Sequence, residues 1–484
     1  MKLSRRTLHM LLALAPVALS HMLPPPAGMT ASGLHILGIF LGVLTLWLTE
    51  AIDWPSLLLL AALAFIPELS FSGILAESIG GTTFSFLLFT FLCTHALAQT
   101  PFVRRVALAF VNSRAARRGP WAFSLLFFLS ALTLGLFMSP SVLFVIYLPI
   151  HAEICAVLNL KKGDRFAAML MLGMTVAIAL SSGMTPIAHV FSNMAMGFYE
   201  KAAGHTISYA HYIAFGMAVG SITFAAMMLV FRFVLRPDLS GYNIGQHSLG
   251  GEKQPMERRE ALILGVFALV VLAWVVPGFL CDVWPVMKTI QAKSIAWPPL
   301  LGAVAMMMIT VEGKPLLAFG EGMTKGVSWA ALMMTASTLA LGAAMTNKDI
   351  GLTQWLSSNV SPLLDGLPAW VLVLVFTLWA ALQTNVSSNM VTITVVCTVA
   401  LPIVLATQGQ VSAPAVASIT GMMGAFAFAT PPAHPNVALA VGSGWTSAKQ
   451  MLLYGGICMA ISVAVTVLVG YPLAVRFDLS IGGS

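Results

Sequence analysis

The sequence predicts an all-α polytopic membrane protein with about eleven transmembrane helices, two re-entrant helical hairpins and two inverted-topology repeats. Three observations carry this. The chain of 484 residues is 58% hydrophobic and only 8% charged, where soluble domains carry about 25% charged residues. Apolar segments recur along its whole length, with Lys and Arg gathered in alternate connections. Short motifs of the first half return in order in the second. The net charge of +7 follows from those loop bases, which belong to membrane orientation rather than to nucleic-acid binding.

Lys2-Leu3-Ser4-Arg5-Arg6 and the apolar run to Leu19 have the form of a signal or twin-arginine leader. Ahead of so many later spans they are read as an N-terminal extra helix within residues 1–30. Further apolar segments fall near 31–51, 54–68, 84–100, 120–150, 166–197, 210–235, 260–281, 295–311, 327–346, 367–407, 412–442 and 450–475. About 20 apolar residues span a bilayer as a helix, so 120–150 and 367–407 are too long for one crossing. Read as hairpins that return to their own side, they leave one consistent orientation. Arg104, Arg105, Arg114, Arg117, Arg118, Lys161, Lys162, Arg165, Arg236, Lys253, Arg258 and Arg259 then share the cytoplasmic face with the N-terminus. The other face keeps only Lys201, Lys288 and Lys293 in the corresponding loops, as the positive-inside rule requires. The expected location is a bacterial-type inner membrane.

The polar linker 237–259 separates repeat 1 (31–236) from repeat 2 (260–484). Ile52-Asp53-Trp54-Pro55 returns as Ile295-Ala296-Trp297-Pro298, Thr185-Pro186-Ile187-Ala188-His189 as Thr430-Pro431-Pro432-Ala433-His434, and Ser139-Pro140-Ser141 as Ser388-Asn389-Met390. The offsets are 243, 245 and 249 residues. Leu148-Pro149-Ile150 and Leu401-Pro402-Ile403 follow the last pair. Five crossings separate equivalent points, an odd number, so the second repeat is inverted. That is the plan of secondary transporters, with the site near the midplane.

Each repeat thus supplies a hairpin tip (Gly135 to Val142; Thr384 to Thr392) and a broken helix (166–197; 412–442). Pro removes an amide donor and clashes with the preceding turn, so the helices break at Ser181 to Pro186 and at Ala429 to Asn436. Broken ends expose helix N-termini, partly positive and lined with N–H groups; a packing kink or Ser/Thr glue is the alternative. Between Trp121 and Tyr199 the only carboxylates are Glu153 and Asp164, and none occurs from Gly366 to Phe477. Without an intramembrane acid, a cation or proton antiporter is disfavoured, and neutral hydroxyls, amides and helix N-termini suit a small anion. His189 and His434 occupy equivalent places, where they either meet the anion or bond freed backbone. Glu50 and Asp53 read as helix caps or partners of bases, and His95 and His151 as peripheral. Five scattered Cys show no metal-ligand spacing. No nucleophile–base set argues for an enzyme, and no cofactor is expected.

At these residues the chain resembles the divalent anion/sodium symporter family, the INDY-type carriers of solute carrier family 13. Leu48-Thr49-Glu50-Ala51-Ile52 resembles its "TEAIP" stretch, Ser388-Asn389-Met390 its second Ser-Asn-Thr signature, and Ala429-Thr430-Pro431-Pro432 its Ala-Thr-Pro-Pro break. The resemblance implies a homodimer in the bilayer, with a scaffold domain and a transport domain that moves as an elevator. It implies carboxylate transport coupled to Na⁺, or Na⁺-independent exchange of carboxylate, sulfate or sulfonate. Substrate contacts map onto Ser141, Asn389, Thr430 and Pro431, to which repeat symmetry adds Ser139, Ser388, Thr185, Pro186, His189 and His434. A second sodium site maps onto Thr384, Ser387, Asn389 and Ala429, and a first onto Ser139 and Gly183. The chain departs from the pattern at Pro140, at Met390, and at Gly135, where the first sodium site calls for a hydroxyl.

Overall fold

The computed structural model describes residues 4–187, 189–239, 242, 255–280, 284–285, 289, 293–364, 367–407, 409–477 and 480–481. Most of the polar linker, with Lys253, and also Cys281 and Lys288 lie outside the described residues. Before the linker come α1 (Arg5–Met22), α2 (Ala31–Thr49), α3 (Trp54–Leu63), α4 (Phe71–Glu77), α5 (Thr82–Ala98), α6 (Phe102–Val111), α7 (Pro120–Gly135), α8 (Pro140–Val157), α9 (Arg165–Met184), α10 (Val190–Ala203) and α11 (Tyr209–Leu235). From the end of the linker onward come α12 (Arg258–Leu280), α13 (Trp297–Met308), α14 (Trp329–Thr346), α15 (Leu352–Leu364), α16 (Ala369–Thr384), α17 (Asn389–Ala406), α18 (Ala413–Ala425), α19 (Pro435–Gly442) and α20 (Ala448–Arg476). Among the described residues eight helices are long and apolar enough to cross a membrane, or nine if α4 and α5, bent by 49°, form one span.

The two long apolar segments are helix pairs in matching register. In each pair the first helix has 16 residues and the second 18, and every boundary of α16–α17 lies 249 positions after its counterpart in α7–α8. The residues that start the second helices also share a backbone conformation, φ −56° and ψ 131° at Ser139 and φ −62° and ψ 132° at Ser388. Tyr147 Oη donates to Ser130 Oγ at 2.8 Å across the first pair, which holds α7 and α8 side by side. The Leu-Pro-Ile motifs do not keep this register. Pro149 and Pro402 both lie inside their helices, but Pro402 sits four residues, about one turn, further along.

Polar contacts sort the connections into two sets. Arg104 pairs with Glu153 at 3.1 Å, joining the chain on either side of 120–150, and Arg105 pairs with Glu260 at 3.0 Å. Arg259 donates to the Leu316 carbonyl at 2.8 Å in the same set. In the other, Lys201 pairs with Glu77, Trp355 Nε1 donates to the Ala27 carbonyl at 3.0 Å, and residues 206–207 form a short antiparallel bridge with 480–481. Asp53 starts α3 and accepts from the Trp54 N–H at 2.7 Å, while Glu50 pairs with His9 at 2.6 Å, the capping and pairing expected of them.

Several features differ from the sequence expectation. Segments read as loops contain α4, α6 and α15. Each is short, and α6 buries only Val103, Ala107 and Val111 on one face, so an apolar-length criterion passes over it. His151 is not peripheral: it is fully buried, with Nε2 donating to the Ala167 carbonyl at 3.0 Å and its ring against Trp445. The described Cys93, Cys155, Cys397 and Cys458 are free and buried, as small hydrophobes are.

α1 lies close against α2 because α2 carries glycines one turn apart. A Cβ on Gly38 would come within 2.8 Å of the Pro16 carbonyl, and one on Gly42 within 2.5 Å of the Ala13 carbonyl. Small residues four apart let membrane helices approach this way. Gly42→Leu is therefore expected to push α1 away at a cost of about 1–3 kcal/mol, read as a melting temperature several degrees lower in detergent.

Candidate functional site

Each hairpin tip is tied to its own broken helix by the same hydrogen bond. Thr185 Oγ1 donates to the Leu136 carbonyl at 2.7 Å, and the repeat-related Thr430 Oγ1 donates to the Asn385 carbonyl. In both repeats a hydroxyl from the break takes the carbonyl that follows the hairpin's first helix. Around this shared bond the repeats diverge. In the first, His189 Nε2 donates to the Gly135 carbonyl at 2.8 Å. Asn193 Nδ2 reaches the carbonyls of Pro186 and His189, each at 2.6 Å, and its Oδ1 accepts from Tyr209. In the second, Thr384 Oγ1 donates to the Gly424 carbonyl at 2.7 Å. Asn385 Nδ2 donates to the Phe426 carbonyl at 3.1 Å, and its Oδ1 accepts from the N–H groups of Phe428 at 3.0 Å and Ala429 at 2.8 Å. That explains why α18 stops at Ala425, four residues ahead of the expected break: Asn385 supplies partners for backbone that would otherwise stay helical.

The tips and breaks line a cavity of about 440 Å³ together with Ile52, Phe91, Ser328 and Ala331. The N-caps of four helices line it: Ser139 of α8, His189 of α10, Ser388 of α17 and His434 of α19. Ser139, Ser388 and His189 make no side-chain cap bond, so the first N–H groups of their helices lack the partner a cap would give. His434 Nδ1 accepts from the Asn436 N–H at 3.2 Å. Asn436 Nδ2 in turn donates to the Pro140 carbonyl at 3.1 Å, joining the second broken helix to the first hairpin. Asn389 Nδ2 and His189 Nδ1 are buried without a partner. Among the described residues no Asp, Glu, Lys or Arg lines the cavity.

Of the expected substrate residues, Ser139, Ser141, Ser388, Asn389, His189 and His434 line this cavity together. Thr185, Pro186, Thr430 and Pro431 do not; the hydroxyls of both Thr are turned back onto the hairpin tips and the Pro186 carbonyl is taken by Asn193. Of the expected second sodium set, Thr384 and Ala429 are joined through Asn385 and the start of the break, whereas Ser387 Oγ bonds the Gln383 carbonyl of its own turn at 3.0 Å. Carbonyls and hydroxyls freed where a membrane helix ends are hard, neutral oxygens that suit Na⁺. In the first set, the Gly183 carbonyl accepts from Tyr212 Oη at 3.0 Å, and a Cβ at Gly135 would fall on Ser181 Oγ. Asn385, Asn193, Asn436 and Ser328 escape sequence reasoning. Asn385 stood inside the polar tip, but its reach across 41 to 44 residues of chain leaves no local signal.

The transmembrane region of sodium:sulfate symporters matches residues 4–475. The sodium-dependent dicarboxylate transporter SdcS of Staphylococcus saprophyticus is 26% identical over 473 residues, covering 94% of this chain and 89% of that protein. Its Staphylococcus aureus counterpart is 25% identical over 480 residues, with the same coverage. Among solved structures, the YdaH transporter of Alcanivorax borkumensis matches in fold with a TM-score of 0.59 at 14% identity, covering 98% of this chain and 99% of that one.

Asn385→Ala strips partners from two carbonyls, Ala381 and Phe426, and two N–H groups, at about 1–3 kcal/mol per orphaned group. The variant is expected to melt well below the parent protein and to lose ligand-induced stabilisation. A thermal-shift series in detergent checks both.

Proposed function

Because the chain belongs to the sodium:sulfate symporter family, the divalent anion/sodium symporters, we propose that it is a secondary active transporter of small organic anions, di- or tricarboxylates, coupled to Na⁺. One observation carries this reading: four helix N-termini meet at one cavity that no charged side chain lines. Each N-terminus is worth roughly half a positive charge, so a doubly negative solute finds complementary potential without a fixed base. Ser139, Ser141, Ser388 and Asn389 supply further donors, and the two histidines flank them. The similarity to SdcS supports carboxylate as the anion and Na⁺ as the driving ion. Na⁺ is assigned to oxygens around Thr384, Ser387, Asn389 and Ala429.

Movement follows from the placement of the cavity. Its lining comes from two groups: the hairpins and broken helices in one, and Ile52 before α3 with residues of α5 and α14 in the other. Sliding the first group against the second, as an elevator, would carry the anion from one face to the other. The protein is assigned to the bacterial inner membrane as a homodimer with its N-terminus cytoplasmic, on the strength of the Lys/Arg asymmetry and the family.

A Na⁺-independent exchanger is the second reading. It is favoured by the first ion set, where Tyr212 occupies the Gly183 carbonyl and Gly135 leaves no room for a hydroxyl side chain. Uptake of labelled dicarboxylate into proteoliposomes decides between them. Symport predicts loss of uptake when external Na⁺ is replaced by choline; uptake that persists and requires internal counter-substrate supports exchange. Asn389→Ala is expected to lower uptake at least tenfold with little change in melting temperature, since its Nδ2 bonds nothing in the protein. Unchanged uptake would remove Asn389 from the site.

A further inference from the structure

The two histidines start repeat-related helices, but their neighbours hold them in opposite hydrogen-bonding states. His189 Nε2 faces the Gly135 carbonyl at 2.8 Å. A carbonyl only accepts, so Nε2 carries the hydrogen, and in the neutral ring Nδ1 is left as an acceptor. That Nδ1 is buried and has no protein partner, on a residue that lines the cavity. His434 is the reverse. Its Nδ1 accepts from the Asn436 N–H at 3.2 Å, so the hydrogen lies on Nε2, which is a donor. The rest of the polar wall is serine hydroxyls, which donate or accept, and the Asn389 amide, whose Nδ2 is a buried donor without a partner and whose Oδ1 is an acceptor. Among the described lining residues, His189 Nδ1 is thus the buried acceptor left without a partner, set in a wall rich in donors.

A fully ionised carboxylate or sulfate offers acceptors alone. It would satisfy the serines, Asn389, His434 and the helix ends, but would bury His189 Nδ1 with nothing to bond. We propose that the site is built for a hydroxylated carboxylate, a 2-hydroxy di- or tricarboxylate whose hydroxyl donates to His189 Nδ1 while its carboxylates take the surrounding N–H and O–H groups. An ammonium in place of the hydroxyl would meet the positive ends of four helices with no carboxylate to offset it. This inference rests on the anion-transporter reading above and specifies its substrate.

The test uses the full-length protein in proteoliposomes with labelled malate, competed by unlabelled malate, succinate or sulfate. Malate and succinate differ by the hydroxyl alone. The expected result is that succinate competes at least tenfold more weakly than malate, the penalty of leaving a buried polar group unpaired, and that sulfate does not compete at matched concentration. In His189→Phe the malate-to-succinate ratio should fall towards one, a change that a purely structural role for His189 would not produce. If that variant does not fold, the ratio in the parent protein still decides, together with the thermal stabilisation each acid gives in detergent. Equal competition by malate and succinate overturns the inference and leaves the carboxylate-transporter reading standing. Failure to take up or bind any carboxylate overturns both.

Discussion

Every backbone amide and carbonyl inside a bilayer must find a partner, and this requirement shapes the protein. Helices that stop at membrane depth free both kinds of group. The structure treats them unequally. Carbonyls near the breaks and tips are claimed by side-chain donors: Gly135 by His189, Leu136 by Thr185, Gly183 by Tyr212, Gly424 by Thr384 and Phe426 by Asn385. The amides at the helix starts receive far less, since three of the four N-caps make no side-chain cap bond. Side-chain donors are spent on carbonyls, and backbone donors are left facing the cavity. A site without charged residues thereby acquires positive character.

The two repeats reach this result with shared geometry and different chemistry. The Thr-to-tip bond is common to both, as is the backbone at Ser139 and Ser388. The second repeat then adds Thr384 and Asn385, which bring oxygens together beside the end of α18. The first carries Gly135 at the place of Thr384, and closes its carbonyls with His189, Asn193 and Tyr212 instead. Inverted repeats of equal architecture thus differ in what they can hold: hydroxyl and amide oxygens are concentrated in one, while the other is tightened by aromatic and histidine donors.

Packing reinforces the division. One hydrophobic cluster unites the hairpins, the broken helices and α11 with α5, α12, α13 and the first half of α14. A separate one joins Ile36, Phe40, Trp47, Leu59 and Leu63 of α2 and α3 to Met334 and Leu341 of α14, and Val391 of α17 also belongs to it. The cavity lies where these bodies of side chains meet. Polar bonds such as Lys201 to Glu77 join α10 to α4 near one face.

Much of the architecture was legible in the sequence because membrane insertion writes it in length and charge. Spans follow from apolar runs, and the helix pairs from segments too long to cross once. The serine-rich tips and Thr-Pro breaks mark where helices must fail, since proline and the absence of charge act locally. Short amphipathic helices such as α6 stayed hidden, their periodicity confined to a few turns. What only the tertiary structure decided is which freed groups remain free. Thr185 and Thr430 look like ligands in sequence, but fold back onto carbonyls 45 to 49 residues away. Asn385 becomes the clasp of a whole break. The protonation pattern of His189 and His434 depends on which backbone atom each ring meets. Composition determines that the site is neutral and rich in donors; long-range hydrogen bonds, each joining groups far apart in the chain, determine which of its polar atoms stay open.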